Sequence, residues 1–305
     1  MNGIIFNYAL LYGAVLLLGA VSGYLSERAG IVNVGIDGMM CVGVIFFGIF
    51  SSPLIGFTKM GSFGIIFAFL LTMVATTIVG AMHAFACINL KSNHVISGTA
   101  INLIGVALCT FVNSSLGNTF YGASKLSTGF DDFLYIGWSV YGSSLIMFII
   151  ALTIAGIIWL IVYKTKVGFR YIAVGENPFA VDAQSISVNK YQWVAVILSS
   201  AIAGLAGAIY LFNIKQSQGN VQGLGFLALA IMIVGAWKIE WIAITSFIFS
   251  LLISLCMSSV LTNIGISKDL TYSIPYIITF LTLIFFAKWV RAPEHDGIPF
   301  DREMR

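Results

Sequence analysis

The stretch SERAGIVNVGIDGMM, residues 26–40, places Glu27, Arg28, Asn33 and Asp37 between very apolar runs, with glycines at 30, 35 and 38. Carboxylates, a guanidinium and an amide here offer hydrogen bonding and charge pairing, and the glycines loosen the helix around them. Non-helical backbone is tolerated at membrane depth only where protein or a water-filled path satisfies it. Broken spans with exposed helix ends mark solute sites in transporters. The stretch is therefore expected to open an interrupted span that lines a pathway. Glu27 and Arg28 are expected to form a structural pair at the cytoplasmic edge, and Asn33 and Asp37 to lie nearer the path. A second amide, Asn102, also sits in an apolar run. Buried amides must find partners or incur a penalty of a few kcal/mol. Asn33 and Asn102 can face the pathway or bridge neighbouring helices, and the residues alone leave both roles open.

Catalytic chemistry finds no footing in the chain. No G-x-x-x-x-G-K-[ST] phosphate loop is present, so ATP is not expected to be bound and hydrolysed by that route. There is no H-E-x-x-H and no Cys/His cluster; His83, His94 and His295 are far apart and are expected to be packed or hydrogen-bonded side chains. Cys41, Cys87, Cys109 and Cys256 lie in or beside apolar runs without paired spacing, and neither a disulfide nor a metal is expected. Carriers driven by protons or sodium usually keep buried acids or histidines along their path. Asp37 is the one acid set well inside a candidate span, away from its ends, which weighs against a stand-alone secondary carrier.

The elements that position these residues follow from composition. Of 305 residues 59% are hydrophobic and only 9% charged, against about 25% charged in a soluble domain. The class is an all-α polytopic membrane protein, with about 8–10 transmembrane helices. Apolar runs long enough to cross a bilayer occupy 4–25, 62–86, 94–113, 141–163, 191–213, 239–262 and 271–290; two shorter or interrupted runs occupy 31–50 and 223–237. The N-terminal run lacks the basic segment of a signal peptide and is expected to be a retained first span. With the N-terminus outside and the C-terminus inside, eleven of the fifteen basic residues are cytoplasmic, including Arg28, Lys91, Lys238, the 164–190 loop and the 288–305 tail. The 114–140 connection is expected outside, exposed to a partner or to incoming solute. No piece outside the spans is long enough for a core of its own, so residues 1–305 form one transmembrane domain and any engine must come from another chain.

In the 164–190 loop, Asn177 followed by Pro178 marks a helix start, because the amide can cap and proline suits the first turn. A helix of about eight to ten residues, from Pro178 to near Ser187, is expected. It suits docking into a cleft of a soluble motor; the alternative is an interfacial helix lying on lipid headgroups.

Four stretches carry a family resemblance: ERAGIVNVGIDGMMCVG (27–43), HVISGTAINLIGVAL (94–108), RYIAVGENPFAVDAQSISVNKYQWVAVILSSAIAGLAGA (170–208) and GLGFLALAIMIVGAWKIEWIA (223–243). In this order they resemble the signature blocks of the permease subunits of bacterial ABC importers, in the branched-chain amino acid and simple sugar group. Within that group the chain looks most like the nucleoside and simple-sugar permeases that work with basic membrane lipoproteins. Two departures stand out. Asp37 occupies a position where the family usually has glutamate, and AWKIEW (236–241) one where it often has Asn-Pro or His-Pro.

The resemblance implies a multi-pass protein of the bacterial plasma membrane, with an ATP-binding subunit, a second permease and an extracellular substrate-binding lipoprotein as partners, and membrane lipid around it. It implies that Gly175, Glu176, Asn177, Pro178 and Ala180 belong to the element coupled to the ATPase. A neutral polar solute such as a nucleoside needs hydrogen-bond partners and an aromatic or apolar surface at membrane depth. Asn33, Asp37 and Asn102 are the candidate pathway residues, and Phe226 is a candidate to stack on a base or sugar. Gly98, Thr99, Gly223 and Gly225 are small residues at span starts, where close helix packing competes with a pathway role; Gly204 and Gly207 are expected to serve packing. No cofactor, metal or nucleic-acid partner is expected. The alternatives are a branched-chain amino acid permease, for which fixed charges or open helix ends would be needed, and a stand-alone secondary carrier.

Overall fold

The structure is a computed structural model that describes residues 2–51, 62–116, 142–214, 217–258, 267–286, 288 and 290–301. The described elements are helices: α1 (Asn2–Glu27), α2 (Ile36–Phe50), α3 (Ser62–Ala84) continued by a π-helical turn (Phe85–Asn89), α4 (His94–Leu116), α5 (Gly142–Lys164), α6 (Lys166–Glu176), α7 (Pro178–Ala183), α8 (Val188–Ile214), α9 (Leu224–Val234), α10 (Ile239–Met257) and α11 (Lys268–Phe286). Six of them are long and apolar enough to cross a membrane, and α2, α9 and most of α11 are shorter apolar helices. Each of the nine expected runs thus contains a described helix. The 114–140 connection, apart from residues 114–116, lies outside the described residues.

Burial separates a central pair from an exposed outer set of helices. α1 and α8 are mostly buried, whereas α3, α4 and α5 leave most of their surface open, with exposed apolar side chains such as Val74, Leu103 and Ile157. An apolar outer face needs no partner in hydrocarbon, so association depends on close backbone approach through small residues. The α8 segment AIAGLAGA supplies it: a Cβ on Gly204 would lie 2.2 Å from Thr76 Oγ1 on α3, and one on Gly207 would lie 2.0 Å from Met40 O on α2. These two glycines serve packing, as expected. The cysteines are buried and free.

The segments expected in the cytoplasm meet at one end of the bundle. Arg28 pairs with Glu176 at 2.8 Å and Lys91 with Asp301 at 2.6 Å. The His295 N–H donates to Gly175 O at 3.0 Å, and the Gly297 N–H donates to Gly30 O at 3.1 Å. Trp237 Nε1 donates to Glu27 Oε2 at 2.9 Å. Glu27 and Arg28 therefore do not pair with each other. They point to different elements: Glu27 holds the α9–α10 turn and Arg28 holds the end of α6. At the other end of the bundle Ser254, near the close of α10, donates to Ile5 O at the start of α1, and Phe47 of α2 stacks on Phe69 with ring centroids 4.5 Å apart.

The 164–190 loop differs from expectation in two respects. It contains two helices. α6 starts at Thr165, whose hydroxyl accepts from the Gly168 N–H at 3.2 Å, and buries Gly168, Tyr171 and Val174 at helical spacing. The Tyr171 hydroxyl donates to Leu25 O at 2.5 Å, locking α6 under the end of α1. α7 begins at Pro178, with Asn177 Oδ1 accepting from the Ala180 N–H at 2.9 Å, the cap read from the sequence. It ends at Ala183, earlier than expected, because Ser185 takes a left-handed conformation (φ 60°). The Ser185 N–H donates to Asp182 O and the Ile186 N–H to Val181 O, the paired bonds that close a helix at a left-handed residue.

Candidate functional site

The two short helices meet head to head. The segment 28–35 leaves the end of α1, runs without regular helix, and starts α2 inside the bundle. The segment 217–223 comes from the opposite end and starts α9. The two helix starts touch: a Cβ on Gly225 would lie 2.4 Å from Asp37 Cα. Asn102, which faces this point, lies eight residues into α4, about 12 Å from the start of that helix at 1.5 Å per residue. α2 and α9, with 15 and 11 residues, extend for about 22 and 16 Å, so each covers only part of a hydrocarbon core of about 30 Å. The N-termini of two half-helices thus face each other within the span.

The polar side chains singled out in the sequence are brought to this junction, and each has backbone partners. A helix start leaves N–H groups without intrahelical acceptors. Gly35, which precedes α2, has no side chain to cap it. Asn102 does so from α4: its Oδ1 accepts from the Gly38 N–H at 2.7 Å, and its Nδ2 donates to Val34 O at 2.7 Å. A Cβ on Gly38 would lie 2.3 Å from Ile101 O, so the glycine is what lets α2 and α4 come this close. Asp37 Oδ1 accepts from the Gly225 N–H at 2.9 Å, closing the start of α9 from α2. Asn33 Oδ1 accepts from the Gly35 N–H at 3.1 Å, and its Nδ2 donates to Ser199 Oγ on α8 at 3.2 Å. Asn33, Asp37 and Asn102 are all buried. Phe226, on the first turn of α9, is half-exposed beside Gly225. His83 also serves this region: one ring nitrogen contacts Ser97 Oγ at 2.9 Å and the other Val32 O at 3.2 Å.

A cavity of about 280 Å³ lies beside the start of α9, lined by Tyr12, Gln222, Tyr272, Pro275 and Tyr276 among others. Its size is near the lower end for small-molecule sites. Pro275 sits inside α11 and has no N–H to donate to the carbonyl of Thr271 four residues earlier. The Tyr276 hydroxyl donates to Gln222 O at 2.5 Å. Phenol rings, hydroxyls, an amide and no ionised side chain among these residues make a surface suited to a flat, neutral, polar molecule. These tyrosines were not legible in the sequence because they come together from two segments at opposite ends of the chain, Tyr12 on α1 and Tyr272 and Tyr276 on α11. The proline inside an apolar run was the one local signal.

On the side expected in the cytoplasm, Glu176 is held by Arg28, and its Oε2 accepts from the Glu294 N–H at 3.4 Å. Gly175 packs under the Arg28 carbonyl. Asn177 and Ala180 are exposed on one side of α7, while Pro178 and Val181 are buried on the other. Phe179 packs edge-on against His295 of the tail, 5.5 Å between ring centroids.

Comparison with known proteins agrees with this architecture. The family described as branched-chain amino acid transport system / permease component matches residues 5–283. The nucleoside ABC transporter permease protein NupC of Lactococcus lactis is 32% identical over 95% of this chain and 94% of its own. The guanosine ABC transporter permease protein NupQ of Bacillus subtilis is 30% identical over 99% of this chain and 98% of its own. The putative glucose ABC transporter permease protein TsgC13 of Haloferax volcanii is 30% identical over 83% of this chain and 77% of its own. No solved structure matches the chain. With apolar spans throughout, two half-helices joined at their starts and a family match covering nearly its whole length, the chain belongs to the permease components of the branched-chain amino acid transport system family, transport proteins of the bacterial plasma membrane rather than enzymes.

Proposed function

We propose that the chain is the permease subunit of an ATP-driven importer whose solute is a nucleoside. The observation that carries this reading is the closed state of the α2 and α9 starts. An amino acid presents a carboxylate, for which open helix N-termini are the natural acceptors in a broken span. Here Asn102 occupies the Gly38 N–H and Asp37 the Gly225 N–H, and the Asp37 carboxylate would repel a second one. A neutral solute meets no such repulsion. The tyrosine-lined cavity beside α9 offers it ring faces and hydroxyls, and Phe226 adds a half-exposed ring nearby. The substrates in the names of NupC and NupQ point the same way; the glucose in the name of TsgC13 keeps a simple sugar as the second reading.

The driving force comes from a separate ATP-binding subunit seated on the exposed side of α7, around Asn177 and Ala180. Gly175, Glu176 and Pro178 hold that helix in place. A second permease completes the pathway, and an extracellular lipoprotein delivers the solute. Uptake of radiolabelled guanosine by cells with and without the chain tests the reading, with ribose and leucine as competitors and an ATPase variant lacking its phosphate-loop lysine. Guanosine uptake that needs both chain and active ATPase, and that leucine does not compete, is expected. Competition by leucine, or uptake that persists with the inactive ATPase, would overturn it.

A further inference from the structure

A second cavity, of about 380 Å³, lies on the outer surface between α5, α6 and α8. Its long walls are apolar, formed by Ile158, Ile161, Val194, Leu198 and Ile202, and Lys190 stands at one end. From Lys190 to Ile202 along α8 is twelve residues, about 18 Å, slightly more than one leaflet of a hydrocarbon core of about 30 Å. Ile161, Val194 and Leu198 are each about half exposed, so the groove opens sideways. Lys190 lies in the first turn of α8, at the end of the 164–190 loop expected in the cytoplasm. Gly168 forms part of the lining: a Cβ there would lie 2.1 Å from Val162 O, so α6 closes tightly against the end of α5.

The charged side chain in the lining is Lys190. Lys166 and Arg170 on α6 and Lys190 on α8 are exposed, and among the described residues none of the three takes part in an ion pair. A groove that is apolar along one leaflet and basic at its cytoplasmic mouth has the polarity of a phospholipid with an anionic headgroup. Basic pockets between spans on the cytoplasmic side bind such headgroups.

We propose that this groove is a binding site for one anionic phospholipid, with an acyl chain along α5 and α8 and its phosphate at Lys190, in the positive field of Lys166 and Arg170. A second permease would instead bring a side chain surface to the groove and would need no anion at its mouth.

Native mass spectrometry of the purified full chain, titrated with palmitoyl-oleoyl phosphatidylglycerol and with the phosphatidylcholine of the same chains, tests the proposal. Phosphatidylglycerol is expected to be retained at least several-fold better. A K166Q/R170Q/K190Q variant is expected to lose that preference while eluting as a single sharp peak. Leu198→Trp, which fills the groove, is expected to lower retention of both lipids; Val194→Phe fills it more gently and gives the same readout should Leu198→Trp misfold. Equal retention of the two lipids by the unmodified chain would overturn the headgroup assignment. Filled variants that keep their lipid but lose self-association would assign the groove to a second permease and overturn the proposal.

Discussion

Replacing Asn102 by leucine should destabilise the junction of the half-helices more than any change at a lipid-facing position of α4. Asn102 makes two bonds of 2.7 Å, accepting from the Gly38 N–H and donating to Val34 O. Leucine has the same branched outline but satisfies neither partner. Gly38 is buried and Val34 is partly so, and water cannot fully replace the lost partners. An orphaned buried polar group costs about 1–3 kcal/mol, so the pair amounts to roughly 2–5 kcal/mol. In a chain of this size about 1 kcal/mol lowers the melting temperature by about 2–4 °C, which gives a drop of roughly 5–15 °C. The assay is thermal unfolding of the purified permease, with Leu103→Ala as the control. Leu103 is the adjacent residue on the same helix and is 74% exposed, so its truncation should move the transition by no more than a degree or two. An N102L transition that matches that of L103A would refute the argument that Asn102 caps α2.

Three further outcomes follow from named contacts. Trp237→Phe removes the indole donor to the buried Glu27 carboxylate, and should lower stability by about 1.5–3 kcal/mol in the same unfolding assay; Glu27→Gln, which keeps an acceptor, should cost less. Burial pushes the carboxyl of Asp296, in the tail, up to about 7, so between about pH 4 and 7 the folded chain holds a proton that the unfolded chain has released. The stability contributed by this group is therefore full below about pH 4 and lost as pH rises toward 7. Hydrogen exchange over residues 291–301, corrected for intrinsic rates, should accelerate from pH 5.5 to 8, and Asp296→Asn should flatten that rise. Phe226→Ala should reduce nucleoside uptake several-fold at unchanged membrane abundance; unchanged uptake would remove Phe226 from the pathway.

Much of the fold was legible because membrane spans announce themselves by length and composition. The nine helical runs required no long-range information, and Asn177–Pro178 marked its helix through local capping chemistry alone. The interrupted character of 31–50 was visible in its glycines and polar residues. That Asn102 caps α2 and Asp37 caps α9 was not visible, because each bond joins residues far apart in sequence. The pairing of Glu27 with Arg28 failed for the same reason: adjacent residues at a helix end point in different directions, and tertiary partners, Trp237 and Glu176, claimed them. α6 was missed because its buried face consists of Gly168, Tyr171 and Val174, while Val167 and Phe169 point outward and blur the period. The AWKIEW departure also became interpretable. The turn is made by Ala236 and Trp237 with φ of 51° and 50°, a costly conformation for side-chain-bearing residues, and the Trp237–Glu27 bond helps to hold it.

The closed helix starts and the tyrosine cavity are expected to admit a neutral nucleoside and reject a carboxylate. Proteoliposomes containing the complete importer, loaded with ATP and supplied with the binding lipoprotein, measure this directly through competing tritiated guanosine and leucine. ATP-dependent accumulation of guanosine, reduced by Tyr272→Ala or Tyr276→Ala, with leucine excluded, is the expected result. Accumulation of leucine, or guanosine transport indifferent to both tyrosines, would contradict it.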